Sequence, residues 1–354
     1  MTHPVDQPQT VSSPSGAKTS DDRIAILDGW RALSILAVLA GHLLPLGPKS
    51  WELNGAVAAS GMAIFFTLSG FLITRLLLAD PRVPQFLIRR LFRIVPLAWV
   101  AMIVLAIATQ ADAATLLANL AFYANLPPAQ LMHGGEHLWS LCVEVQFYMF
   151  AAIIVLVAGR RALFILPVMM VAVTSLRIAQ GAEISIITWQ RVDEILAGAT
   201  LALLYHYGWL QRLSDKLPSM TVLALLPVVI FSAHPASGAF MYARPYVAAA
   251  AVGISIFSAP AFMRTIFVSR PAVYVAATSY ALYVFHGMLS VTWLGSGDTL
   301  IKYSKRPFLI VLTFALAHLS TFRFEARMIA LGKILARRVG TSKQPSSVIE
   351  GVRP

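Results

Sequence analysis

The sequence predicts an all-α fold, a polytopic transmembrane helical bundle of about ten spans with both termini cytoplasmic, and three observations carry that prediction. Of 354 residues, 58% are hydrophobic and only 12% charged, with a mean hydropathy of +0.72, outside the range of soluble globular domains. Apolar runs of roughly 20 residues, the length a helix needs to cross hydrocarbon, recur along almost the whole chain. The connections between them alternate in basic content, as the positive-inside rule requires.

Residues 1–23 are dominated by Ser, Thr, Pro, Asp and Gln, cannot bury enough apolar area to order themselves, and are expected to be a disordered cytoplasmic tail. No basic stretch, short apolar core and small-residue cleavage site opens the chain, so a cleaved signal peptide is not expected. Spans are predicted over 25–45, 55–79, 95–110, 137–158, 162–176, 188–207, 219–233, 245–260, 272–294 and 307–331, the third and fifth being short for a full crossing. The membrane domain therefore covers 24–335, and a polar cytoplasmic tail is expected over 336–354. No internal repeat at a fixed period is visible, which argues against an inverted-repeat transporter.

With the amino terminus inside, 19 of the 28 Lys and Arg residues fall in inside segments, seven in outside segments, and Arg31 and Arg323 within spans. The connection from Asp112 to Glu136 has no Lys or Arg, as an external loop should, whereas the Lys302–Arg306 cluster is a local exception. The net charge of +12 therefore reports topology, and no nucleic-acid partner is expected. The single cysteine, Cys142, lies in an apolar run, which excludes an intramolecular disulfide and a cysteine-clustered metal site. No metal is expected.

Ionisable groups at membrane depth are expensive and should face the bundle interior or a wet cavity. The first span carries two. Arg31 and His42 are eleven positions apart, about three turns plus 20° and a rise of about 16 Å, so they share one helix face. Gly61, Ser69 and Gly70 on the second span permit close helix contact. Arg89, Arg90 and Arg93 form a basic cluster before Pro96. Such a cluster fixes orientation, holds anionic lipid headgroups, or forks onto phosphates of a soluble cofactor, and composition does not decide among these. In the fourth span Ser140, Glu144 and Tyr148 line one stripe, and Glu144 is placed at a depth compatible with His42, which suggests a buried base and an orienting carboxylate. Arg191 and Asp193, Tyr283 and His286, and Arg323 and Glu325 extend a polar path through the bundle.

These residues resemble the acyltransferase 3 family, integral membrane acyltransferases of carbohydrates and related acceptors, over residues 25 to about 330. The resemblance rests on Arg31 and His42 with ten residues between them, "FFTLSGFLI" from Phe65, "RRLFRIVP" from Arg89, "WSLCVEVQFY" from Trp139, "RVDEILAG" from Arg191, "SYALYVFH" from Ser279 and "FRFE" from Phe322, in that order. Two departures stand out: Val145 replaces a second acid often found after the fourth-span glutamate, and no proline follows Glu325 closely. No appended soluble domain is expected, so this would be the minimal membrane form.

The resemblance implies a membrane O-acyltransferase of the bacterial cytoplasmic (inner) membrane. It would move an acyl group, acetyl first of all, from cytoplasmic acyl-CoA to a hydroxyl of a glycan or glycolipid, such as exopolysaccharide, a lipopolysaccharide O-chain or a lipo-oligosaccharide. It further implies His42 as general base, Glu144 as its orienting partner, Arg31 on the acyl donor, Arg89, Arg90 and Arg93 on CoA phosphates, and Ser69, Ser140, Tyr148 and His286 in positioning roles. Direct attack and an acyl group parked on His42 both remain open. A flippase or exporter of a glycan or small molecule is the alternative from another class, and acceptor-dependent release of free thiol from acetyl-CoA separates the two.

Overall fold

The computed structural model describes residues 24–341, and every regular element among them is helical. The expected tails at 1–23 and from 342 onward lie outside the described residues. The α-helices are α1 (Ile26–Leu43), α2 (Leu53–Ala79), α3 (Val83–Thr109), α4 (Ala113–Leu120), α5 (Trp139–Ala158), α6 (Leu166–Ala179) and α7 (Asp193–His206). They continue with α8 (Trp209–Ser214), α9 (Thr221–Phe231), α10 (Arg244–Ser258), α11 (Ala261–Phe267), α12 (Arg270–Ser290), α13 (Thr299–Leu319) and α14 (Ala326–Thr341).

Among the described residues, eight helical segments are long and apolar enough to cross a membrane, fewer than the ten expected. The third expected span is not short: α3 begins at Val83, with Pro84 in its first turn, and runs for 27 residues. A proline there loses no hydrogen bond, because the first-turn N–H groups have no partner within the helix. The basic cluster Arg89, Arg90 and Arg93 therefore lies inside α3 rather than ahead of it. The fifth extends over 20 residues, Arg160–Ala179. The short ones are instead α7, with 14 residues, and α9, with 11. The last expected span becomes a helical rod over Thr299–Val339, interrupted by a wide turn at Ser320–Glu325, and the helix passes residue 335 because Ile334, Leu335 and Ala336 continue the apolar pattern.

Ile107, Leu156 and Val157 are 68–80% exposed at the outer faces of α3 and α5. Bulky apolar side chains left uncovered on long helices are what a hydrocarbon solvent selects, and the chain is an integral membrane protein. Inside, α2 packs along both α1 and α7. A Cβ at Gly70 would collide with the Ile195 carbonyl of α7, and one at Gly198 with the Thr67 carbonyl of α2. The two glycines thus let these backbones cross in contact, the small-residue packing that replaces the hydrophobic drive in lipid.

Candidate active site

Four cavities follow one another through the bundle, in the same order along two antiparallel helices. Along α1, Arg31 borders one of about 60 Å³, Ser34 and Val38 border one of about 20 Å³, and His42 borders one of about 830 Å³. Along α2, Ala58, Phe65 and Ser69 line the same spaces in reverse, and Leu76 and Ala79 reach a fourth cavity of about 510 Å³. Neighbouring cavities share walls: Arg90 and Arg93, then Phe65 and Ser279, then Met62 and Tyr283. A row of adjoining cavities therefore links a basic end to a histidine end, through a narrow, largely apolar neck lined by Ile35, Val38, Met62 and Phe65.

At the basic end Arg89, Arg90 and Arg93 line the 510 Å³ cavity beside Asp80. Asp80 follows α2, and Arg82 grips it with two parallel bonds of 2.8 and 2.9 Å, which hold its carboxyl below the usual carboxylate range. Arg89 lies 3.6 Å from the same carboxylate. In the 60 Å³ space beyond, Arg31, Arg90 and Arg93 face Glu144, whose Oε1 accepts hydrogen bonds from the Ser69 and Tyr148 hydroxyls. Ser69, Glu144 and Tyr148 are all more than 90% buried, so the carboxylate is both desolvated and satisfied.

His42 occupies the last turn of α1, which Asn54 of α2 fixes by donating to the Gly41 and Leu44 carbonyls at 2.8 and 2.6 Å. Its Nδ1 lies 3.0 Å from Nε2 of His286, and Nδ1 of His286 lies 2.7 Å from the Tyr283 carbonyl. A carbonyl only accepts, so His286 carries its proton on Nδ1, and its neutral Nε2 accepts from His42 Nδ1–H. His42 is left with a lone pair on Nε2.

The expected pairing of His42 with Glu144 is not formed among the described residues. The residue level with His42 is His137, in the 3-10 turn Glu136–Leu138 that leads into α5; it borders the same cavity and packs its ring 4.7 Å from that of His286. Glu144 lies seven residues on, about 10 Å along the helix, beside Ser69. Equal depth was expected from span boundaries, whereas His42 sits at the very end of its helix. His137 was not singled out from sequence, although the stripe Ser140, Glu144, Tyr148 extends back to it by one turn. Ser140 bonds Tyr283, 2.6 Å away, rather than Glu144, and the Tyr283 hydroxyl in turn donates to the His137 carbonyl.

At the start of α7, Arg191 and Asp193 pair with other residues rather than with each other. Asp193 bonds Arg177 at 2.5 Å, and Glu194 takes Arg244 at 2.6 Å and Arg191 at 3.4 Å, all fully or nearly fully buried. Arg191 lines the large cavity and stacks on Trp139, 5.5 Å from the ring centre. Glu325 accepts from Ser320 and Thr321 within the wide turn. Among the described residues no group of three or more His, Cys, Asp or Glu is placed to hold a metal ion.

The model of a family described as an acyltransferase domain, the acyltransferase 3 family, matches residues 24–322. The chain belongs to that family. The chain is 26% identical to the peptidoglycan O-acetyltransferase OatA of Listeria monocytogenes, over 84% of its own length and 54% of the relative's. It is 32% identical over 36% of its length to a putative O-acetyltransferase of Staphylococcus aureus strain COL, of which it covers 24%. The chain thus spans about half, or less, of the length of the curated relatives it matches. No solved structure matches it.

Proposed function

We propose that the chain transfers an acyl group, acetyl first of all, from cytoplasmic acyl-CoA to a hydroxyl of a glycan or glycolipid. The observation that carries this reading is the row of cavities joining a basic end, suited to phosphates, to a histidine with a free imidazole lone pair. The names of the Listeria and Staphylococcus relatives support acetyl as the group, and the Listeria name supports a carbohydrate polymer as acceptor class. The Lys and Arg distribution supports the basic end facing the cytoplasm and the His42 cavity facing outward, in a bacterial cytoplasmic membrane with both termini inside.

In this reading Arg89, Arg90 and Arg93 hold donor phosphates, and Arg31 lines the passage for the pantetheine arm. The arm has to bridge about 16 Å, the rise from Arg31 to His42. His42 Nε2 accepts the acceptor hydroxyl's proton while the oxygen attacks the thioester carbonyl; the thiolate leaves and takes the proton back. His286 replaces Glu144 as the group that orients the base. Trp139 and Arg191 give the large cavity a flat, polar-edged wall for a sugar ring.

The test is acetyl-CoA turnover by the purified protein in nanodiscs. Thiol release should depend on acceptor, and Arg89→Ala or Arg93→Ala should raise KM for acetyl-CoA about tenfold or more, since a charge-assisted bond contributes about 1.5–3 kcal/mol. Absence of thiol release in cells whose surface glycans lose O-acetyl groups on gene deletion would sink the acyl-CoA donor, and glycan export without turnover would favour a flippase.

A further inference from the structure

The helix α14 begins after residue 322, where the family match ends, yet it closes the basic cavity. Ile329, Gly332, Lys333 and Ala336 fall at i, i+3, i+4 and i+7 and form one face of α14. Gly332 seats that face on α3, because a Cβ there would stand 2.5 Å from Phe92 Cβ. This contact fixes the helix so that Ile329 and Lys333 line the cavity with Arg89, Arg90 and Arg93.

The charges in that cavity do not balance. Four cations line it with one carboxylate, Asp80, which Arg82 already grips through both oxygens; Glu144, facing Arg90 and Arg93 from the inner cavity, leaves Arg89 and Lys333 without a carboxylate of their own there. The ion pairs of the described residues give Lys333 no carboxylate. A space of about 510 Å³ with this excess of positive charge suits a ligand carrying several phosphates. The cations are also ordered. Arg90 and Arg93 border the inner 60 Å³ cavity on the way to His42, whereas Arg89 and Lys333 border only the outer one.

Resting on the acyl-CoA reading above, we infer that Lys333 binds the donor phosphate furthest from the thioester, the 3′-phosphate of the CoA ribose. The arm must enter past Arg90 and Arg93, which leaves the diphosphate beside the arginines and turns the ribose phosphate outward to α14. The C-terminal helix thereby makes the protein select CoA over its dephosphorylated form.

The experiment compares binding of CoA and 3′-dephospho-CoA to the full chain in phosphatidylcholine nanodiscs. Wild type should bind CoA about tenfold more tightly than 3′-dephospho-CoA. Lys333→Gln should bind both with the weaker affinity, and Lys333→Arg should keep the preference. Gly332→Val, which pushes α14 off Phe92 and leaves every charge in place, should lose it as Lys333→Gln does. Equal discrimination by wild type and Lys333→Gln overturns the inference and leaves the acyl-CoA reading standing. Wild type that binds neither nucleotide overturns both. If Lys333→Gln changes binding only in discs containing phosphatidylglycerol, the lysine serves a lipid headgroup and the inference fails.

Discussion

His42 is a base at Nε2 only while its Nδ1 holds the proton, and that tautomer is dictated by His286, whose own Nδ1–H is tied to the Tyr283 carbonyl. Removing His42 should therefore differ from removing its partner. His42→Ala should abolish transfer and leave CoA affinity unchanged, because a general base acts in the transition state. His286→Leu should keep the base but free its tautomer and orientation, lowering kcat by about 10²-fold with little change in KM for the donor; equal kcat in the variant would return the pair to packing. Glu144 belongs to a different problem, the balance of Arg31, Arg90 and Arg93. Glu144→Gln should lower the stability of the donor-free protein by about 1–3 kcal/mol, and added CoA should recover more of the loss than it adds to wild type. A thermal melt in detergent, with and without CoA, reads both effects, and an unshifted melt would remove the charge-balancing role.

At the scale of elements, the base is positioned by a helix end rather than by the middle of a span. The last carbonyls of α1 lack intrahelical partners, and Asn54 satisfies two of them from the start of α2. Asn54→Ala should let that turn fray, moving His42 off the cavity wall. The expected outcome is a fall in kcat of about tenfold or more at unchanged CoA affinity, since positional precision is lost far from the phosphates. A variant with normal turnover would show that the His42–His286 pair holds the turn alone. The crossing of α2 and α7 at Gly70 and Gly198 is a second such device. It holds α7 in place, although α7 is short, and Glu194 at its start pairs with Arg191, which lines the large cavity.

Across the whole molecule, the reading requires the basic and histidine ends to lie on opposite sides of the membrane. Cys142 is the only cysteine of the chain and is buried, so single-cysteine labelling has a quiet background. Lys49→Cys, near the His42 end, should react with an impermeant maleimide on intact cells, whereas Arg82→Cys, near the basic end, should react only after permeabilisation. The reverse pattern would put the proposed donor site on the wrong side. The 60 and 20 Å³ spaces lie between the two ends, the narrower walled by Phe65 and Tyr283, so a thioester that passes must displace these side chains.

Composition and hydropathy determined the all-α membrane fold by themselves, because lipid leaves the backbone few ways to satisfy its polar groups. The ordered motifs also pointed to the acyltransferase family, since residues such as Arg31, His42 and Glu144 are too costly in a span to be incidental. Helix lengths were less legible. Pro84 and the three arginines of α3 mimic a connection by composition, yet the arginines face a polar cavity that a one-dimensional hydropathy pattern cannot represent. Which polar groups meet was decided by the tertiary structure alone. Glu144 and His42 were placed together by counting residues from span boundaries, but the offset of α1 against α5 sets His42 beside His137 and His286, and Glu144 beside Ser69. That offset depends on where small residues let backbones touch and where Asn54 ends α1, contacts between distant parts of the chain that periodicity within one helix does not encode.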